Sequence, residues 1–443
     1  MFTKKQIRAL LLPLMAEQLL NALMGTADTI MVTTVGSAAI SAVSLVDSIN
    51  VLVLYLFAAM ATGGTILCSQ YLGREQTQEA AAVGRQLILT VAALALAATG
   101  LCVALREPLL RLIFGQVEPA VMADAQVYFL ITALSYPFIA LYNAGAALFR
   151  SGGNSRLPMT LSMISNLLNI GGNAVLIFVF QMGVAGAALA TLLSRLFCAV
   201  TVLCFLRLPR QPIVVRDYRS IRPDFPVIWR ILSVGVPTGV ENGMFQFGKL
   251  AIQSTVSAMG TTAIAAQAIA AMLEAITSNA PLGIGLGMTT IVGQCIGAGR
   301  PEEARKVIRR VTLFAFWVVL ASCAAAALLV RPITVISRME PEAAKLAIDL
   351  TYLICIVKPI LWTFSFIPAY GMRGAGDVRF SMLVSAISMW VCRVAVTMLL
   401  VHLLGMGPLA VWLGMFTDWS VRAVIFSVRF HGSRWLAHDV LRN

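Results

Sequence analysis

Several charged side chains stand inside stretches that are otherwise apolar, and these are the residues best equipped for chemistry. In the first half they are Glu17, Asp28, Asp47 and Arg195, an acidic excess. In the second half Glu241 and Glu274 stand with Lys249, Lys358 and Arg393, a basic excess, and Asp418 and Arg422 lie one turn apart near the end. A charge near the centre of a bilayer costs roughly 2.5 to 3.5 kcal/mol on insertion scales, so each must face a partner or a wet cavity. A carboxylate in such a cavity can take up a proton, which burial favours, or hold a cation, which favours the ionised form. Histidine offers no relay, because His402, His431 and His438 lie at or beyond the ends of apolar runs. The eight cysteines fall mostly within apolar runs without C-x-x-C spacing, and read as small hydrophobic residues. No H-E-x-x-H, G-x-S-x-G or P-loop pattern is present, which argues against a membrane enzyme and against a pump with its own nucleotide domain. Any proton coupling must therefore use a carboxylate, and no cofactor is called for.

The elements that carry them must be membrane helices. Of 443 residues, 59% are hydrophobic and 12% charged, and the mean hydropathy is +0.86; that leaves too little polar surface to cover a water-soluble globule. Crossing the hydrocarbon takes about 20 residues, and twelve stretches are long enough, at about 7–34, 39–70, 86–105, 121–149, 157–180, 184–206, 227–257, 262–295, 309–330, 343–371, 379–403 and 408–430. The first, although preceded by Lys4, Lys5 and Arg8, is too long for a signal peptide and lacks a small-residue cleavage site. With the N-terminus inside, most Lys and Arg fall on inner segments, and the outer ones hold only Arg106, Arg111, Arg331, Arg338 and Lys345. That bias orients a multi-pass protein of the cell membrane, inner or plasma, with both termini cytoplasmic. Topology and contact with anionic membrane lipid account for the net charge of +13, without nucleic acid.

The chain is duplicated. Shifted by 224 residues, 13–85 lie on 237–309 without a gap, with 16 of 73 positions identical, among them Pro13/Pro237, Glu17/Glu241, Gly63/Gly287 and Arg85/Arg309. The sharpest mismatch sets Asp28 against Ile252. Phe149 to Asn154 and Met372 to Asp377 are likewise matching Arg-Gly turns, each expected to keep its Arg in the basic inner interface. Six spans per half make the repeat parallel, related by an axis along the membrane normal. The expected architecture is an all-α integral membrane protein of twelve helices: a lobe over 1–206, a basic linker over 207–226, a lobe over 227–430 and a tail over 431–443.

Pro13-x-x-x-Glu17, Asp28-Thr29-Ile30-Met31, Gln70-x-x-Gly73, the Arg-Gly turns, the small-residue run from Gly183 to Thr191 and their second-half copies resemble the multidrug and toxic compound extrusion (MATE) family across nearly the whole chain. The resemblance implies export of drugs or toxic metabolites coupled to proton or sodium entry. It implies Asp28 as the coupling carboxylate, with Tyr128, Asn169, Asn173 and Thr191 around it. Asn169 and Asn173 are one turn apart on one face, and can hydrogen-bond a protonated acid or, with Asp28, offer oxygens to sodium. No firmer metal site is expected. Where relatives carry a second Asp this chain has Asn173, which leaves Asp28 as the lone acid of the cluster and favours protons. Sodium-coupled relatives place further acids where this chain has Phe245 and Trp362.

For the substrate, amphipathic cations are expected, bound in a cleft lined by Glu274, Met24, Tyr55, Phe245 and Met272, with Phe57, Met60, Phe247 and Met288 on the same spans. Glu274 also has Lys358 and Lys249 as candidate partners. The reading is thus a monomeric secondary antiporter working by rocking-type alternating access. The rival within the superfamily, a lipid-linked precursor flippase, calls for fourteen spans and a strongly cationic cavity, against twelve spans and a first half richer in acids.

Overall fold

The structure, a computed structural model, describes residues 2–115, 117–218, 221–436 and 440–441. His438 and Arg442 lie outside the described residues. Apart from short connections and the stretch 207–224, the described residues are helical, in the order α1 (Lys4–Thr33), α2 (Ser37–Gly73), α3 (Thr77–Ala104), α4 (Arg106–Phe114), α5 (Pro119–Leu134), α6 (Tyr136–Ser151), α7 (Arg156–Asn173), α8 (Gly183–Leu206), α9 (Phe225–Ser257), α10 (Thr261–Gly297), α11 (Pro301–Ile336), α12 (Pro341–Gly374), α13 (Val378–Ser388), α14 (Val396–Leu404) and α15 (Leu409–His431).

Among the described residues ten helical stretches are long and apolar enough to cross a membrane, and the bent pair α5 and α6 supplies an eleventh. The twelfth expected span is α9, whose 33 residues suffice in length while Arg230, Glu241 and Lys249 interrupt its apolar run. The span expected as continuous over 121–149 bends by 40° between α5 and α6, because Pro137, in the first turn of α6, has no N–H to continue the ladder. Two other spans widen locally into π-helix, at Ala174–Val179 after α7 and at Met389–Ala395 between α13 and α14. α11 begins earlier than its apolar run; Pro301 opens it, and Glu302 and Glu303 in its first turn suit the positive end of the helix dipole.

The helices form two compact units. Leu19–Gly239 is the N unit; residues up to Gln18 join those from Val240 onward in the C unit. In the N unit, Gly63 of α2 meets the start of α9 so closely that a Cβ there would fall 2.7 Å from the Ile231 carbonyl oxygen. In the C unit, a Cβ on Gly283 of α10 would fall 2.5 Å from the Leu14 carbonyl oxygen, and Leu10, Leu11 and Leu14 share a core with Ile284, Met288 and Ile291. The units therefore depart from 1–206 and 227–430 at the first helix of each half. Glycines let the second span of each half pack on the opening turns of the other half's first span, where any side chain would hold the backbones apart.

The Arg-Gly turns depend on backbone conformation: Gly153 has φ +83° and Gly376 φ +103°, a region that side chains disfavour. Arg373 is buried and donates to Glu241 Oε1 at 2.5 Å, because a buried carboxylate on α9 needs a cation.

Candidate functional site

In the N unit α1 and α2 each present a helical stripe to a common cavity of about 140 Å³. Gly25, Asp28, Thr29 and Val32 on α1, and Ile40, Val43, Ser44 and Asp47 on α2, follow the spacing i, i+3, i+4, i+7 that selects one face of a helix. Tyr128 from α5, Asn173 from α7, and Ala187 and Thr191 from α8 complete the wall.

The bonds within this wall converge on Asp28. Asn173 Nδ2 donates to Asp28 Oδ1 at 2.7 Å. The Asn169 amide, in the orientation that satisfies both its ends, donates to the same oxygen at 2.6 Å and accepts from Thr191 Oγ1 at 3.1 Å. Asn169 and Asn173 are almost wholly buried, while Asp28 is half-buried. The structure thus gathers Asp28, Asn169, Asn173 and Thr191 into one bonded cluster, with Tyr128 on the same cavity wall.

Asp47, named among the acids within the spans but given no role by the sequence, lines the same cavity and ends the expectation that Asp28 is the lone acid. It accepts from Asn50 Nδ2 at 3.1 Å and from the Tyr128 hydroxyl at 3.4 Å; Asn50 Oδ1 in turn accepts from Tyr136 at 2.7 Å. The signal was available, because α1 and α2 are antiparallel across a short turn and their two stripes face one another. Arg195 donates to Ser135 Oγ at 2.7 Å and, among the described residues, forms no ion pair with either carboxylate.

The geometry bears on which ion the site can take. Both groups that reach Asp28 are N–H donors, which satisfy a carboxylate but cannot ligate a metal. Sodium would require both amides to turn over and present oxygen. A cavity of 140 Å³ is also well below the ~300–1,000 Å³ typical of a drug-sized ligand, so it suits a proton or a small cation with water.

The cleft candidates are dispersed. In the N unit Met24 is buried and Tyr55 is exposed; in the C unit Met272 is exposed, and Phe245 lies beneath Lys249 and Arg393 with its centroid 5.1 and 5.2 Å from their charged groups. Phe57, Met60 and Met288 are fully buried packing residues, Phe57 edge-on to Tyr136. Glu274 is occupied: Lys358 Nζ lies 2.9 Å from its carboxylate and 2.7 Å from its carbonyl, and also reaches Thr277 at 2.6 Å and Ser278 at 2.7 Å. Trp362 lies beneath the same ammonium at 5.4 Å and stacks on Phe366.

Comparison with known proteins places this arrangement in context. The MatE family model matches residues 13–175 and again 237–399, two stretches that begin and end 224 residues apart. A probable multidrug resistance protein NorM of Thermotoga maritima is 27% identical, over 99% of this chain and 94% of its own. An uncharacterized transporter, YisQ, of Bacillus subtilis is 24% identical, over 96% and 93%. Among solved structures, an outward-facing multidrug resistance MATE family transporter of the MOP superfamily superposes with a TM-score of 0.90 at 21% identity, over 97% of this chain and 96% of that one. A MATE protein in complex with MaL6 gives 0.89 at 22%, over the same shares. At those identities the likeness establishes the fold, two lobes of six helices each.

Proposed function

The chain belongs to the MatE family, a family of membrane transporters and not of enzymes, and we propose that it exports amphipathic small molecules in exchange for protons through Asp28. The observation that carries this reading is the cavity itself: a half-buried carboxylate, gripped by two buried amides, in a space sized for an ion.

A proton entering from outside neutralises Asp28 and weakens its bonds to Asn173 and Asn169. The altered wall favours release of substrate, and the proton leaves once the path opens to the cytoplasm, with the two units rocking between states. Protons are preferred to sodium because donors surround the acid. Relatives named as multidrug resistance proteins support drugs or toxic metabolites as cargo. The N-unit acids Asp28 and Asp47 line a cavity too small for such cargo, so they argue for the ion and not for the substrate's charge. The protein acts as a monomer in the cell membrane, with termini, linker 207–226 and tail 431–443 cytoplasmic and no cofactor.

The test is transport into vesicles of stated orientation, with a fluorescent amphipathic dye and either a pH or a sodium gradient imposed alone. Dye movement driven by the pH gradient and absent under the sodium gradient is the expected result; movement under sodium alone overturns the choice of ion.

A further inference from the structure

Two cations of the C unit stand without a carboxylate partner. Glu274 is matched by Lys358 and Glu241 by Arg373, and Asp418 Oδ1 accepts from Ser388. Lys249 on α9 and Arg393 in the π-helical stretch after α13 then remain, and among the described residues neither has a carboxylate within ion-pair distance. Both cations lie over the ring of Phe245, at 5.1 and 5.2 Å from its centroid, so they stand at most about 10 Å apart. Arg422 likewise leaves Nε and Nη1 unpartnered, but it donates to Ser385 at 2.9 Å and has no second cation on the ring beneath it.

Arg393 is 9% exposed. Its Nη2 reaches Met415 Sδ at 2.5 Å and its Nη1 reaches Met389 Sδ at 4.0 Å, while Nε has no partner. Sulfur is a weak acceptor, and a buried guanidinium answered only by thioethers and a ring is incompletely satisfied. One turn before it, the buried indole N–H of Trp390 also lacks an acceptor. Phe245 and Trp390 pack against Ile252, Met389, Val394 and Val411, an apolar bed beside the unsatisfied donors. Lys249 is exposed, so one cation is accessible and the other is fixed in depth.

We propose that Lys249, Arg393 and Trp390 bind the oxyanion of an amphipathic molecule, a carboxylate or phosphate on an apolar tail, with the tail beside Phe245. Two oxygens on one centre match the guanidinium edge that includes Nε, and the lysine meets the anion before the arginine does. This deepens the transport reading, on which it rests, by giving the cargo a negative group.

The test uses the full chain purified in detergent, without any gradient, so failure of coupling at Asp28 leaves it untouched. Dansyl-undecanoate is titrated by fluorescence beside a probe of the same tail ending in trimethylammonium. Saturable binding of the carboxylate probe is expected, weakened about tenfold or more by Lys249→Gln and abolished by Lys249→Glu and Arg393→Met. Because Arg393 is buried, Arg393→Met is read only if it elutes monodisperse, whereas Lys249 is exposed and its variants keep the question open to refutation. In nanodiscs, displacement of the probe by phosphatidylglycerol supports a lipid headgroup as the natural oxyanion, and lack of displacement supports a free amphiphile. An affinity for the carboxylate unmoved by both Lys249 variants, or equal binding of the trimethylammonium probe, overturns the proposal.

Discussion

Replacing Lys358 with Met should strongly destabilise the C unit. The ammonium is fully buried and surrounded by four oxygens at 2.6 to 2.9 Å, two from Glu274 and one each from Thr277 and Ser278. Methionine fills the space but leaves the Glu274 carboxylate with only the Ser278 hydroxyl, at 2.9 Å. Removing one partner of a buried pair costs about 3–5 kcal/mol, most of it the stranded charge. At roughly 2–4 °C per kcal/mol for a unit of this size, the melting temperature should fall by about 6–20 °C. The double variant Glu274→Gln/Lys358→Met removes both charges and should regain most of that loss, giving a coupling energy of about 2 kcal/mol or more. The assay is thermal unfolding in detergent by intrinsic fluorescence for wild type, both single variants and the double. A Lys358→Met melt within about 2 °C of wild type, or a double variant as unstable as the two single losses added together, would show that the pair carries no such energy.

Gly283→Ala should cost about 1–3 kcal/mol, because its Cβ would meet the Leu14 backbone, which cannot give way as a side chain can. Gly100→Ala on α3, with open space around it, should be neutral or stabilising by up to about 1 kcal/mol; a Gly283→Ala melt at or above wild type contradicts the close approach. Gln86 ties the linker to α3, donating to the Arg222 carbonyl at 2.8 Å and accepting from the Asp224 N–H at 3.1 Å. With two bonds worth about 0.5–1.5 kcal/mol each, Gln86→Leu should speed tryptic cleavage after Arg216 at least several-fold, and an unchanged rate would mean the linker is held elsewhere.

The sequence was most informative where a pattern had one physical reading. Apolar runs of membrane length gave twelve spans, and the offset of 224 residues gave two halves of the same sense. The resemblance brought Asp28, Asn169, Asn173 and Thr191 to one place. Asp47 went unassigned because its partner stripe lies on another helix, so that spacing along either helix alone shows only an amphipathic face. Phe57, Met60 and Met288 could not be told from cleft residues, since in a membrane helix the core, the lipid face and a cleft all favour apolar side chains. The polar first turns of α11 fell outside any apolar count, and the bend at Ser135 was visible only as Pro137 near the middle of a span. The division of α1 and α9 between units depends on the depth at which Gly63 and Gly283 meet a backbone, which sequence offsets do not report.

The most direct measurement of coupling at Asp28 is gradient-driven dye transport by Asp28→Asn beside wild type, at equal protein per vesicle. The amide keeps the shape of the side chain and its cavity but cannot exchange a proton, so transport driven by an imposed pH gradient should fall to the level of empty vesicles while the protein remains folded and inserted. Gradient-driven transport undiminished in Asp28→Asn would contradict the assignment of coupling to this residue.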